Sequence, residues 1–473
     1  MSRACHVPRA LAALLSAALL FCGCGKREDS PPLSASSASV ASEAPEAAQL
    51  PEATPLPTRP QGPYRTPLSV TDGQGAALSL SADGGFENPL PLGEETSLTF
   101  TFAPGTALNF LRISSTGRCQ IEVEAGGQML YDAAAESCAP LPKEGLAGGI
   151  VCRFDDAEAE AFTLTVTPLE EGVSLGGAAF GLLEQSMPAS AYLPASTAPE
   201  ALGEYRESFA LLRQVTVITG ACWDAKSAVQ VIDQNYPALL AALQEYRTAH
   251  GVKILSTFYP ARELIRAGSA GESISTPERR GALIEALIAH CEAYGLDGID
   301  FDWETPKDDS EWILYSALIA EAAAAFREHG LLLSAALYPG DCQNLSAGAV
   351  AALPALNLMA YDQFDDGGRH STYLTAYEAA AASLAAGFSP SQICLGVPAY
   401  GRPLDGSASW PLYRDAAPGY ARNEADGAYY NSPALARDKA AFAALEGFGG
   451  VFLYHLGGDL PAGNPLSLLQ NLN

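Results

Sequence analysis

The sequence predicts an α/β protein in which a (β/α)8 TIM barrel is preceded by a β-sandwich. From residue 190 onward, continuous apolar runs alternate with helical stretches, which is typical of buried parallel strands joined by helices. Before residue 189, short runs instead alternate between apolar and polar residues, as in antiparallel sheets. The length of 473 residues also exceeds that of one ordinary domain.

The first 24 residues have the pattern of an export signal. Basic residues precede an apolar run at residues 11–21, which is too short to span a bilayer. The run ends near Cys22 and Cys24, where small residues before a cysteine resemble the lipobox of bacterial lipoproteins. We expect residues 1–24 to be a lipoprotein signal peptide that includes the lipidation site, and the protein to be exported and lipid-anchored to a bacterial membrane or cell surface. Cys24 is the preferred lipid site and Cys22 the second; an unlipidated secretory signal is the alternative.

Residues 25–65 are rich in Ser, Ala, Pro and Glu and predict a disordered tether, because such a segment buries too little apolar surface to offset its ordering entropy. Across the chain, 54 acidic residues outnumber 27 basic residues, which gives a net charge of −27. This balance argues against nucleic acid as a partner and against binding to an anionic membrane surface, because both need a basic face. Membrane attachment is therefore expected through the lipid alone.

Residues 66–188 predict a β-sandwich accessory domain. The alternating runs lie at residues 77–81, 98–102, 120–124 and 162–166, and Gly, Pro and Asp separate them. A glycan-binding module and a spacer both remain open as the role of this region.

Residues 189–473 predict the barrel. The eight strand-like runs are residues 191–193, 215–219, 253–259, 298–304, 331–338, 356–362, 393–400 and 451–455. Thr276-Pro277 and Ser432-Pro433 each place a capping hydroxyl before a proline, which indicates a helix start. Periodicity alone also allows a doubly wound open sheet.

Seven of the ten cysteines follow the signal region, so at least one of them has no partner within the chain. A bridge among Cys119, Cys138 and Cys152 is possible in an exported protein. No CxxC pair occurs, and neither a metal nor a cofactor is expected.

The most informative segment carries three acids, Asp300, Asp302 and Glu304, which alternate with large apolar residues. Side chains alternate faces along a strand, so the acids share one face and point into the barrel. Burying three acids is costly, and crowded carboxyls hold protons near neutral pH. A protonated acid beside an ionised one is what glycosidic cleavage requires. A solvated charged strand is one alternative; a calcium loop is another, although an EF-hand needs Gly where Thr305 stands.

The run DGIDFDWE at residues 297–304 resembles the DGxDxDxE signature on the fourth barrel strand of family 18 glycoside hydrolases. Residues 357–362 (NLMAYD) resemble the sixth strand of that family, residues 395–402 the seventh, and residues 449–454 the eighth. The resemblance covers roughly residues 190–473. It implies a chitinase-like or endo-β-N-acetylglucosaminidase-like enzyme that cleaves β-1,4 linkages in N-acetylglucosamine-containing glycans.

The resemblance also implies a retaining, substrate-assisted mechanism. Glu304 would be the catalytic acid, while the substrate's own 2-acetamido oxygen attacks C1 and forms an oxazolinium. Asp302 would receive the acetamido N–H, Asp300 would share a proton with Asp302, and Tyr361 would donate its hydroxyl to the acetamido group. Asp297 is expected to be structural. Residues expected to bind substrate are Met359, Asp362, Tyr454, Tyr259, Trp223, Tyr400 and Arg402.

Three departures from the family pattern bear on substrate. The usual SxGG of strand three is replaced by STFY at residues 256–259, and Tyr454 stands where a tryptophan is usual. The connection between Pro403 and Gly449 is short, which predicts an open cleft. Chitin, N-glycan cores and peptidoglycan-like glycans all remain open as substrates. Four aromatic residues of this connection would either stack on sugar or pack the loop: Trp410, Tyr413, Tyr429 and Tyr430. An inactive surface glycan-binding protein and a scaffold that displays the sandwich are the competing functions.

Overall fold

The computed structural model describes residues 63–81, 84–135 and 137–473. The expected signal peptide, the lipid site Cys24 and almost all of the expected tether lie outside these residues. Residues 63–65, which were assigned to the tether, instead contact the folded part: Tyr64 forms a bridge with Gly181, and the backbone N–H of Arg65 donates to Phe180 (2.9 Å). Within the described part of the chain, no helix is both long and apolar enough to cross a membrane.

Residues 69–181 form two antiparallel sheets. The strands are β1 Ser69–Asp72, β2 Gly85–Pro91, β3 Thr96–Thr101, β4 Ala107–Ser115, β5 Cys119–Ala125, β6 Gln128–Ala135, β7 Ile150–Glu158, β8 Ala161–Pro168 and β9 Ser174–Gly181. The five-stranded sheet has the order β1-β3-β8-β5-β6, and the four-stranded sheet has the order β2-β9-β4-β7. Phe180 of the smaller sheet packs on Phe100 and Phe162 of the larger one, at 5.0 and 5.7 Å between ring centroids.

Three of the four expected sandwich runs coincide with β3, β5 and β8. The run at residues 77–81 is not a strand, because it makes only isolated bridges, from Ala77 to Thr71 and from Leu80 to Phe86. That residues 66–188 form a separate domain stays a prediction.

The rest of the chain contains a closed barrel of eight parallel strands, so the open-sheet alternative is wrong. The barrel strands are β10 Ala189–Pro194, β11 Leu212–Ile218, β14 Lys253–Phe258, β15 Gly298–Phe301, β16 Leu332–Leu337, β17 Ala355–Leu358, β18 Ile393–Pro398 and β22 Gly450–Tyr454. Five shorter strands lie outside the barrel, in two small antiparallel sheets: β12 Ala221–Trp223, β13 Val229–Val231, β19 Arg402–Pro403, β20 Glu424–Ala425 and β21 Ala428–Tyr429. The barrel order is β10-β11-β14-β15-β16-β17-β18-β22. All eight strand runs expected from the sequence supply barrel strands.

The α-helices are α1 Arg206–Phe209, α2 Tyr236–His250, α3 Arg262–Ala267, α4 Pro277–Tyr294, α5 Asp309–Glu328, α6 Ala347–Ala352, α7 Tyr373–Ala385, α8 Tyr413–Ala416, α9 Pro433–Glu446 and α10 Leu468–Leu472. The expected starts of α4 and α9 are confirmed. Thr276 accepts from the N–H of Arg279 (3.3 Å) and Ser432 from that of Leu435 (3.2 Å), which satisfies a donor that has no partner within the helix.

The apolar residues of the acidic segment, as expected, pack outward. Phe301 and Trp303 are fully buried, and each lies 6.2 Å from the ring of Trp223. The carboxyls therefore face the barrel interior. Asp297 at the strand's start accepts from the backbone N–H of Ile254 (2.9 Å) and pairs with Arg247 (2.5 Å), which agrees with a structural role.

All seven cysteines of the described chain are free, so no bridge forms among Cys119, Cys138 and Cys152. Of these three, Cys138 alone is exposed.

Buried polar contacts join the two sheets to helix α9 of the barrel. Asp438 of α9 is 4% exposed; it accepts from the hydroxyl of Tyr131 and from the backbone N–H of Arg153, both at 2.7 Å. Burial raises the pKa of Asp438 to about 7, although both donors oppose the shift. Arg112 of β4 pairs with Glu446 at the end of α9 (2.8 Å). The sheets therefore hold the helix through specific buried groups as well as through apolar packing.

Replacing Tyr131 with Phe should lower the free energy of unfolding by about 1–3 kcal/mol, because the buried Asp438 carboxyl loses a donor. Urea unfolding at pH 8, where Asp438 is largely ionised, measures the change. Tyr420→Phe is the matched control, since that hydroxyl bonds to Arg437 at an exposed position and its loss should cost less. Equal stability of the Tyr131→Phe and parent proteins would contradict the assignment.

Candidate active site

Asp300 is the innermost carboxyl of the site and has no exposed surface. Tyr192 of β10 donates to its Oδ2 (2.7 Å), while Ser334 of β16 (2.6 Å) and Asn357 of β17 (2.9 Å) donate to its Oδ1. Burial raises the pKa of Asp300 to about 6, and the three donors limit the rise. Because hydrogen bonds to a carboxylate favour its charged form, Asp300 can hold a negative charge without solvent.

Asp302 lies just beyond the end of β15, where its backbone N–H donates to Phe258 of β14 (3.0 Å). Burial, and then the charges of Glu304 and Asp300, raise the pKa of Asp302 well above its usual range. Asp302 therefore favours its protonated form in the resting site.

Glu304 follows at the barrel's mouth and keeps a partly exposed side chain. Burial raises its pKa to about 7, and the charges of Asp362 and Asp341 contribute to the rise. At neutral pH a substantial fraction of Glu304 is protonated, as a general acid requires. Asp341 comes from the segment after β16 and was not anticipated from the sequence.

Tyr361 lies just after β17 and is 3% exposed. Its ring is 5.6 Å from Tyr454 and 6.1 Å from Tyr400. Burial raises its pKa well above the usual range, and nearby groups including Asp302 and Glu304 add to this, so the hydroxyl remains a donor. Gly396 leaves the space that Tyr361 occupies, because a Cβ there would lie 2.8 Å from the tyrosine ring.

Asp362 is held by two of the expected residues, Tyr400 and Arg402, which follow β18. The hydroxyl of Tyr400 donates to Oδ2 (2.9 Å) and Arg402 donates to Oδ1 (2.8 Å). Burial raises the pKa of Asp362, and Arg402 opposes the rise. Met359 is 4% exposed and packs in the same cluster as Tyr400. The structure thus brings these expected residues together beside Tyr361.

Tyr454 ends β22 and remains partly exposed, with its ring 5.7 Å from that of Tyr192. Trp410 and Tyr338 are also partly exposed and pack on the same buried cluster. These three rings offer apolar surface at the mouth. By contrast, the other three aromatic residues that were candidates for sugar stacking are at most 1% exposed and pack the loop: Tyr413, Tyr429 and Tyr430.

Trp223 has no exposed surface, and its indole N–H donates to Ser273 (3.0 Å). Since its ring packs against Phe301 and Trp303 on the outer side of the strand, it offers nothing to a sugar, contrary to the expectation. Tyr259 is 9% exposed, and its hydroxyl is buried. Burial raises the pKa of Tyr259 to about 12, and the charge of Asp302 adds to the rise, which puts this ring near the acids.

Residues 267–459 match the family described as "Glycosyl hydrolases family 18", so the chain carries a domain of this family. The match includes β15 with its acids and continues through β22. A curated relative, "Probable chitinase 10" of Drosophila melanogaster, is 32% identical over 165 residues; these are 28% of this chain and 7% of that protein.

Solved structures share the barrel. The chitinase ChiB of Flavobacterium johnsoniae superposes with a TM-score of 0.52 at 19% identity, over 61% of this chain and 93% of that one. Human YKL-39, described as a pseudo-chitinase with retained chitooligosaccharide binding, gives 0.50 at 16% identity, over 61% and 98%. At these identities the likeness concerns the fold alone.

Asp341→Asn should lower the pKa of Glu304, because loss of a nearby negative charge makes the ionised form less costly. A titration of ¹³C-labelled glutamate carboxyls by NMR measures the pKa, with the Glu304 signal assigned by its absence in Glu304→Gln. Asp366→Asn is the control, since this exposed carboxyl is not among the charges that act on Glu304. An unchanged or higher pKa in Asp341→Asn would contradict the proposed electrostatics.

Proposed function

We propose that this chain, which carries a glycoside hydrolase family 18 domain, hydrolyses β-1,4 linkages at N-acetylglucosamine residues through the substrate's own acetamido group. The observation that carries the proposal is the row Asp300, Asp302 and Glu304. Both oxygens of Asp300 already accept hydrogen bonds, and Asp302 retains a proton strongly. Neither acid is therefore well suited to attack the sugar, and the resemblance to the family implies the acetamido oxygen as the nucleophile.

In the first step, Glu304 gives its proton to the glycosidic oxygen as the C1–O bond breaks. The acetamido oxygen bonds to C1 on the opposite face, which forms the oxazolinium, and the leaving sugar departs as an alcohol. As positive charge develops on the acetamido group, the pKa of Asp302 falls and its proton passes to Asp300, whose pKa is about 6. Asp302, now ionised, accepts the acetamido N–H and stabilises its positive charge.

In the second step, Glu304 as carboxylate takes a proton from water while the water oxygen attacks C1. The bond from C1 to the acetamido oxygen breaks, and the proton returns from Asp300 to Asp302. Two displacements at C1 retain the configuration. Tyr361 donates its hydroxyl to the acetamido oxygen and holds it in line with C1, since that hydroxyl does not ionise at neutral pH.

The cleft is proposed to be open and suited to soluble or branched glycans. The chain between β18 and the barrel helix α9 folds into the small antiparallel sheet β19-β21-β20 and the short helix α8, without a larger insertion. Tyr454 is a smaller platform than the tryptophan usual in the family, so it buries less sugar surface. Attachment of the exported enzyme to a membrane through Cys24 is part of the same proposal.

The second candidate function is that of an inactive glycan-binding protein, since human YKL-39, described as a pseudo-chitinase, has a similar fold. The presence of Glu304 with a pKa of about 7 favours the enzyme, because binding alone needs no general acid at the mouth.

The test is hydrolysis of N-acetylglucosamine oligomers and of matched glucose oligomers, with products identified by mass. The parent should cut the N-acetylated set alone, and Glu304→Gln should lower its rate about 10² to 10⁴-fold, as for loss of a positioned general acid. Glu328→Gln, an exposed substitution at the end of α5, should keep the parent rate. Equal cutting of glucose oligomers would contradict the mechanism, and a fully active, folded Glu304→Gln protein would contradict the acid.

A further inference from the structure

Lys439 of helix α9 is a fully buried cation that takes no part in the proposed proton transfers. Its Nζ donates to the backbone oxygen of Ser371 (2.5 Å), to the Oγ of that residue (2.9 Å) and to the Oδ1 of Asn431 (2.6 Å). These three oxygens match the three N–H donors of an ammonium. Because a buried ammonium is costly unless it is hydrogen-bonded, its contacts hold Ser371 in a defined position.

Ser371 is in turn bonded to the backbone beside a catalytic residue. Its Oγ donates to the carbonyl oxygen of the peptide that joins Ala360 to Tyr361 (2.8 Å). Strand β17 ends at Leu358, so the segment that carries Tyr361 lies beyond the end of that strand. The contacts that begin at Lys439 therefore reach the peptide next to Tyr361.

The backbone around these contacts adopts a conformation that needs support. Ser371 and Asp362 have φ values of 52° and 62°, in the left-handed region that residues with a Cβ rarely adopt. Such conformations persist where the surrounding structure holds them. Asp362 is held by Tyr400 and Arg402, whereas Ser371 is held by Lys439. Without the lysine, we expect Ser371 to relax and the carbonyl before Tyr361 to move with it.

Two consecutive residues of α9 contact different parts of the protein. Asp438 accepts from Tyr131 and Arg153 of the antiparallel sheets, whereas Lys439 donates to the segment before α7 that contacts the Tyr361 peptide. Helix α9 is thus held by the sheets through one residue and holds the catalytic segment through the next. The two residues also provide a matched pair for experiment, since both are buried.

We infer that Lys439 is a positioning residue for Tyr361, and that it acts through Ser371 and the carbonyl of Ala360. It keeps the tyrosine hydroxyl where it meets the acetamido oxygen of the substrate. The inference rests on the proposed function, in which Tyr361 holds that oxygen in line with C1.

The first measurement is hydrolysis of the N-acetylglucosamine hexasaccharide, with kcat and KM determined separately. Lys439→Met retains an unbranched side chain of similar length but removes its donors. It should lower kcat about 10- to 100-fold, because a displacement of about 1 Å can cost that much, while KM stays near the parent value. In a Tyr361→Phe background the same substitution should lower kcat by a smaller factor, since the hydroxyl that it displaces is already absent.

The second measurement does not depend on turnover. The ¹³Cζ signal of Tyr361 in labelled protein, assigned by its absence in Tyr361→Phe, should shift in Lys439→Met. Asp438→Asn is the matched control: it should lower stability but leave kcat and the Tyr361 signal at the parent values. Ser371→Ala removes only the hydroxyl that contacts the Ala360 carbonyl, and it should change kcat and the signal in the same direction as Lys439→Met, by less.

An unchanged Tyr361 signal in a folded Lys439→Met protein would overturn the inference. The same kcat loss with and without the Tyr361 hydroxyl, or an equal loss in Asp438→Asn, would also overturn it. If Lys439→Met does not fold, an unchanged signal in Ser371→Ala has the same meaning. A parent that cuts no N-acetylglucosamine oligomer would overturn the proposed function, while the Tyr361 signal still decides whether Lys439 positions that ring.

Discussion

The arrangement of the site follows from placing three acids on the inner face of one barrel strand. A buried carboxylate is unfavourable unless donors stabilise it, and neighbouring carboxylates add repulsion. The barrel meets this constraint in two ways. At its inner end, Tyr192, Ser334 and Asn357 donate to Asp300. Further out, where such donors are fewer, Asp302 and Glu304 respond with raised pKa values. Because the donors become fewer from the interior to the mouth, the three acids differ in state. Asp300 is stabilised as a charged group, Asp302 holds a proton, and Glu304 can act as the catalytic acid.

The surrounding structure fixes the orientation of these acids and the position of a charge that acts on them. Phe301 and Trp303 pack outward on Trp223, which fixes which side of the strand faces inward. The hydrogen bonds of Tyr400 and Arg402 hold Asp362 where its charge acts on Glu304.

The face on which the acids lie could be predicted from the sequence, because strand alternation at residues 299–304 fixes it without knowledge of the neighbouring strands. The eight barrel strands were likewise visible as apolar runs. The hydrogen-bond partners of Asp300 could not be predicted, because they depend on the register between neighbouring strands. Asp300 of β15 aligns with Ser334 of β16, whereas Asn357 of β17 aligns with Ala336 of β16. Trp223 was misjudged for a related reason, since an aromatic residue after a strand suits sugar stacking and outer packing equally. The sequence likewise gave no sign that Asp341 acts on Glu304.

The central claim is that the substrate's acetamido group, rather than a water molecule acting directly, displaces the leaving sugar. The most direct measurement is proton NMR of the reducing-end anomer formed first from a β-linked N-acetylglucosamine oligomer, before mutarotation. The account predicts the β anomer, because two successive displacements retain the configuration. An initial α anomer would show a single displacement by water and would contradict the account.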